Sequence, residues 1–181
     1  MILVHINGVK GDVKIGGTAQ YEGKDFFVAD SFGFGVEREM KESGEKGGTE
    51  DMNIGVGELQ ECTISKSMDL ASTTLAQFAI NGKALGTATI DFVEIFGEEG
   101  KAKCYLRYKL DRCWVKTWSI SGDADDRPTE EVAFLYNKIA FKYEASKDGV
   151  AKEPAKEMAW DNVKQTKWDS PPGMNLDSVN I

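Results

Sequence analysis

The sequence predicts a mainly β fold: a small closed or nearly closed β-barrel of about eight strands with one flanking α-helix. Three observations carry this reading. Apolar residues recur at every second position through most of the chain, the spacing that turns one face of a strand toward a core. Clusters of Gly, Asp, Asn and Pro punctuate those alternating runs. Only one segment changes to helical spacing, and a meander of strands leaves unpaired edges unless it closes.

The elements follow in order. Ile2, Val4 and Ile6 share one face of a first strand. Phe26, Val28, Phe32, Phe34 and Val36 share a parity over residues 26–36, broken only at Asp30, and leave Ala29, Ser31, Gly33 and Gly35 on a small-residue face. From Glu37 to Gly57 charge and glycine replace the alternation, which reads as a long loop or as a hairpin with a mobile tip. Between Asp69 and Gly82, Ala71, Leu75, Phe78 and Ala79 fall at helical spacing, with Asp69 or Ser72 as N-cap and Asn81-Gly82 as a left-handed stop.

Ala88, Ile90 and Phe92, the turn Gly97-Glu98-Glu99-Gly100, and Cys104, Leu106, Tyr108 and Leu110 then read as a hairpin. The apolar parity slips after Leu110 and again between Tyr136 and Ile139, and a β-bulge at each slip would keep the buried face buried. Ser121–Pro128 and Lys147–Glu157 are polar loops, and Trp160–Lys164 is a last short strand. Residues 1–168 form one domain, and residues 169–181, from about Ser170-Pro171-Pro172-Gly173, form a loosely held tail.

Composition narrows the function. The 181 residues carry 22 Lys and Arg against 30 Asp and Glu, a net charge of −8, which disfavours nucleic acid and an anionic membrane surface as partners. No segment is long and apolar enough to span a bilayer as a helix, and Met1–Val4 lacks the features of a signal peptide, so cytoplasmic synthesis without a signal is expected. Cys62, Cys104 and Cys113 form no C-x-x-C pair and have no histidine cluster, so they read as buried fillers rather than as a metal site or a disulfide framework.

No catalytic constellation stands out. His5 is the single histidine, and no G-x-S-x-G elbow accompanies any Ser or Cys. Asp123, Asp125 and Asp126 lack the glycine and terminal glutamate of a calcium loop. Glu98-Glu99 and Glu130-Glu131 read as surface pairs. Gly33-Phe34-Gly35 and Gly55-Val56-Gly57 lack the third glycine of a nucleotide fingerprint. Trp114 and Trp118, read as sharing a strand face, leave a sugar-stacking platform open. No cofactor and no metal are expected.

Residues 61–82, E-C-T-I-S-K-S-M-D-L-A-S-T-T-L-A-Q-F-A-I-N-G, carry a K-x-x-D at a strand end followed by a small-residue helix start, with Lys66, Asp69, Ala71, Ser72, Leu75 and Gly82 in place. Ile6-x-x-Val9-x-Gly11, Ser31-Phe32-Gly33, the late strand from Glu131 to Tyr143, and Trp160-Asp161 follow in matching order. In these features the chain resembles the haemolysin co-regulated protein (Hcp) family, the tube protein of type VI secretion systems. It departs in having Phe32 where Trp is usual.

The resemblance implies a non-enzymatic homohexameric ring. Rings stack into a tube inside a contractile sheath, and the tube is expelled with a spike and carries secreted effectors in its lumen. It also implies assembly in the bacterial cytoplasm and secretion to the extracellular space or a target cell. Ala29, Ser31 and Gly33 are the lumen-facing candidates it suggests. Glu39, Lys41, Glu42, Glu45, Lys46, Glu50 and Asp51 are its candidates for a loop reaching a neighbouring subunit or ring. A globule of this length has a diameter of about 40 Å, and six touching spheres leave a hole one sphere wide, so a small folded domain would fit. A tail-tube protein of a phage-like contractile particle is the neighbouring alternative. A carbohydrate-binding or hydrolytic β-barrel is the alternative of another class.

Overall fold

Period-two burial builds the sheet expected from the alternation. The computed structural model describes residues 1–13, 21–41, 53–96, 101–147, 150–151 and 153–179. The main sheet contains nine of the strands found among them. Its members are β1 (Ile2–Ile6), β2 (Phe26–Ala29), β3 (Ser31–Gly33), β6 (Cys62–Ser67), β7 (Gly86–Phe96), β8 (Lys101–Ser121), β9 (Thr129–Tyr143), β12 (Lys156–Asp161) and β13 (Thr166–Lys167). Two hairpins stand as separate two-stranded sheets: β4 (Val36–Lys41) with β5 (Asn53–Leu59), and β10 (Ser146–Lys147) with β11 (Val150–Ala151). The turn expected at Gly97–Gly100 lies outside the described residues.

The ladder order β13-β12-β9-β8-β7-β1-β2 is joined by β6 on β9 and β3 on β6. Because β2 runs into β3 through Asp30, whose N–H donates to Ser65 O at 2.8 Å, the circuit closes through the chain rather than through a continuous ladder. The sheet is therefore not a closed barrel, and β2 does not pair with β6. Its interior holds Val4, Ile6, Phe27, Ile64, Ile90, Leu110, Phe134 and Ile139.

The single α-helix among the described residues, α1 (Ser72–Asn81), packs Ala71 and Leu75 into this core. The N-cap is Ala71, with no side-chain capping bond, rather than Asp69 or Ser72. Those two instead brace the turn before the helix, where Asp69 Oδ1 accepts the Ala71 N–H at 2.8 Å and Ser72 Oγ accepts the Asp69 N–H at 2.9 Å. Gly82, at φ +64°, ends the helix by donating its N–H to Phe78 O at 3.1 Å, a backbone conformation that L side chains rarely adopt.

Bulges decide which side chains face inward. The slip after Leu110 is a bulge on β8 against β7, where Arg112 takes φ +54°. A second bulge sets Val93 opposite Cys104 and turns that thiol away from the interior row. Between Tyr136 and Ile139 the expected bulge is absent, since β9 keeps unbroken register with β8 there. At that point β9 instead exchanges one neighbour, β6, for another, β12.

All three thiols are buried, and burial pushes Cys62 and Cys113 up to about 12. Ellman's reagent should find essentially no reactive thiol in the native chain and all three in denaturant. Fast labelling of the native protein would contradict this burial.

Candidate functional site: a hydroxyl-rich sheet face and a separate hairpin

Side chains opposite one another on paired strands point to the same side. On β3, β6, β9 and β8 this aligns Ser31, Ser65, Glu131 and Ser119 in one outward row, and Gly33, Thr63, Ala133 and Thr117 in the next. Ser67, Thr129 and Ser121 continue the face. The row between the first two, Phe32, Ile64, Val132 and Trp118, points into the core. Alternation along four strands thus produces an apolar interior and an exterior of short hydroxyl side chains.

Ser31 Oγ and Ser65 Oγ lie 2.6 Å apart, and Glu131 stands exposed beside them. A Cβ on Gly33 would come within 2.7 Å of Thr63 Oγ1, so close approach of β3 to β6 explains the glycine. Ser31, Thr63, Ser65, Thr117, Ser119 and Glu131 line a shallow depression with Glu61, which pairs with Lys116, at its border.

A buried polar cluster fixes this face from behind. Lys66 Nζ donates to Glu130 Oε1 at 2.8 Å, Asp69 Oδ1 at 2.7 Å, Ser72 Oγ at 3.1 Å and Ser67 O at 3.0 Å. Trp118 Nε1 donates to Glu130 Oε2 at 2.6 Å, and Ser72 Oγ donates to Glu130 Oε1. Lys66 and Glu130 are both 0% exposed, so β6, β9, β8 and the start of α1 share one desolvated ion pair. Reading Glu130 with Glu131 as a surface pair is corrected here: adjacent positions on β9 put one inside and one outside.

The other sequence-predicted residues separate. Ser31 and Gly33 lie on the outward face, but Ala29 is only 4% exposed and packs in the core beside Val4 and Phe27. The kink at Asp30 moves the inward parity from Phe27 and Ala29 to Phe32 and Phe34, which removes Ala29 from the candidates. Glu39 is exposed on β4, and Lys41 ends that strand. Glu42, Glu45, Lys46, Glu50 and Asp51 lie outside the described residues. The hairpin reading holds for the arms: Val36 to Lys41 pairs with Asn53 to Leu59, and Val36 is 57% exposed.

Trp114 and Trp118 do not share a face. A bulge between Val115 and Thr117 sets Trp114 opposite outward Leu135 and Trp118 opposite inward Val132, so a tryptophan platform is ruled out there. His5 packs against the Phe26 ring at 5.4 Å, and burial lowers its pKa. Among the described residues no three His, Cys, Asp or Glu converge as metal ligands.

Comparison with known proteins agrees with this architecture. The family model described as "Type VI secretion system effector, Hcp" matches residues 4–143. A structure described as that of a type six secretion system protein superposes with a TM-score of 0.78 at 21% identity, over 92% of this chain and 98% of that one. Hcp1 from Salmonella typhimurium gives 0.67 at 16% identity, over 92% and 97%. A type VI secretion system effector from Yersinia pestis gives 0.63 at 16% identity, over 89% and 99%. No curated protein sequence matches. The solved structures establish the shared fold, and the family match over residues 4–143 establishes that the chain belongs to the Hcp family of type VI secretion system proteins.

Proposed function

We propose that this chain is the structural subunit of the secretion tube. Six copies form a ring, rings stack inside a contractile sheath behind a spike, and effectors travel in the lumen. It works by assembly, not by catalysis. It assembles in the cytoplasm and leaves with the expelled tube.

The observation that carries this reading is the outward face of Ser31, Gly33, Thr63, Ser65, Thr117 and Ser119 on a family-matched scaffold. Short hydroxyl side chains line a conduit well because they present little apolar area for a passing protein to stick to. In the ring this face turns to the lumen. The β4–β5 hairpin, whose ladder does not join the main sheet, reaches a neighbouring subunit or ring.

Light scattering on the purified protein tests the ring. Six chains of 19.9 kDa give 6 × 19.9, or about 119 kDa. A monodisperse 19.9 kDa species at tens of micromolar, roughly ten times a 1 μM dissociation constant, would count against the tube subunit and leave the fold untouched.

A further inference from the structure

The C-terminal segment, expected to be loosely held, is strapped across the sheet instead. Trp168 N–H donates to Ala159 O on β12, and the Lys138 ammonium from β9 sits 5.3 Å from the Trp168 ring centroid. Met174 packs against Ala140 of β9 and Ala159 of β12. Arg107 Nη1 on β8 donates to the carbonyls of Gly173 at 2.9 Å, Asn175 at 2.7 Å and Ser178 at 3.0 Å. Val179 joins the cluster of Leu3, Tyr21, Phe26 and Val93, and Lys24 Nζ donates to its carbonyl at 3.1 Å. The strap thus touches β12, β9, β8, β7, β1 and β2 in turn, following the ladder order across the strands.

We infer that residues 168–179 are a latch that opens and closes as one unit on a folded sheet, with the Arg107 guanidinium as its lock. The lock is separable from the sheet for a specific reason. Arg107 has its charge satisfied inside the sheet: Nε donates to Asp91 Oδ1 at 2.6 Å and Nη2 to Asp91 Oδ2 at 2.7 Å. Tyr21 OH donates to the same carboxylate at 3.1 Å. Only Nη1 serves the strap, through main-chain carbonyls, and its two N–H groups are shared among three acceptors.

When the strap lifts, the Arg107–Asp91 pair faces water and stays paired. No buried charge is stranded, and water replaces the carbonyls. Beyond Trp168 the strap buries the apolar side chains of Met174 and Leu176 and packs Val179 against the sheet. Its entry is a natural hinge: Ser170 takes φ +51°, a conformation that costs energy for a residue other than glycine, and Pro171-Pro172 follow. The latch controls access to the Arg107–Asp91 face.

Hydrogen–deuterium exchange on the full chain tests this, using Arg107→Lys and, from the strap side, the double variant Met174→Ser/Val179→Ser. Lysine keeps the charge opposite Asp91 but lacks the fork that reaches both partners. The expected result is exchange of the Trp168 amide, which donates to Ala159 O, faster by about tenfold or more in each variant, with β8 and β9 as protected as in the native chain. Should Arg107→Lys weaken the sheet itself, the strap-side variant, which alters no strand residue, decides alone. Unchanged Trp168 exchange in the strap-side variant, or Trp168 and the strands losing protection together in it, would overturn the latch.

Discussion

Replacing Lys66 by methionine should destabilise the fold by about 3–5 kcal/mol, a large share of a typical total of about 5–15 kcal/mol. Methionine fills much of the same volume but leaves Glu130, which is 0% exposed, without its cation. Trp118 Nε1 and Ser72 Oγ remain as donors, and two neutral donors do not balance a desolvated carboxylate. The urea midpoint, followed by tryptophan fluorescence, should fall by roughly 1–5 M for a slope of about 1–3 kcal/mol per M. Adding Glu130→Gln to Lys66→Met should recover part of the loss, because removing both charges removes the stranded one. If the single variant unfolds within about 1 kcal/mol of the native chain, roughly the worth of an exposed pair, the ion pair does not anchor the helix and strands as described.

Exchanging residues 41–51 for a short Gly-Ser turn should leave the sheet folded and weaken assembly. The arms β4 and β5 pair only with each other, so no main-sheet ladder bond depends on what joins them. Thermal unfolding of the variant should match the native protein closely. The concentration at half-assembly should rise by about tenfold or more, equivalent to roughly 1.4 kcal/mol. Rings and tubes forming as readily as before would remove the hairpin from the contact between subunits or rings.

Much of this was legible in the chain, and two of the failures share a cause. Ile2, Val4 and Ile6, the helix from Ser72 with its Gly82 stop, and the parity slip after Leu110 all followed from periodicity, because burial on one face dictates them. Ala29 failed because a parity count carried through Asp30 assumes one straight strand, and the chain changes partners there from β1 to β6. Trp114 and Trp118 failed for the same reason at the β8 bulge.

The buried ion pair did leave a signal. Lys66 continues the inward series Cys62, Ile64, and Glu130 opens the inward series Val132, Phe134, Tyr136. A charge of each sign in an apolar row calls for a partner. The strap left almost none, since Arg107 reads carbonyls that every residue carries, and only Met174, Leu176 and Val179 mark where a polar tail touches down.

The orientation of the Ser31 face in the ring is the claim on which the tube reading stands. Ser31→Cys places a thiol on that face in a chain whose own cysteines are buried, so a maleimide gold cluster labels it selectively. Electron-microscopic averages of labelled assemblies viewed down the axis should show six-fold rings with the added density inside the central hole. Gold on the outer rim would contradict the account.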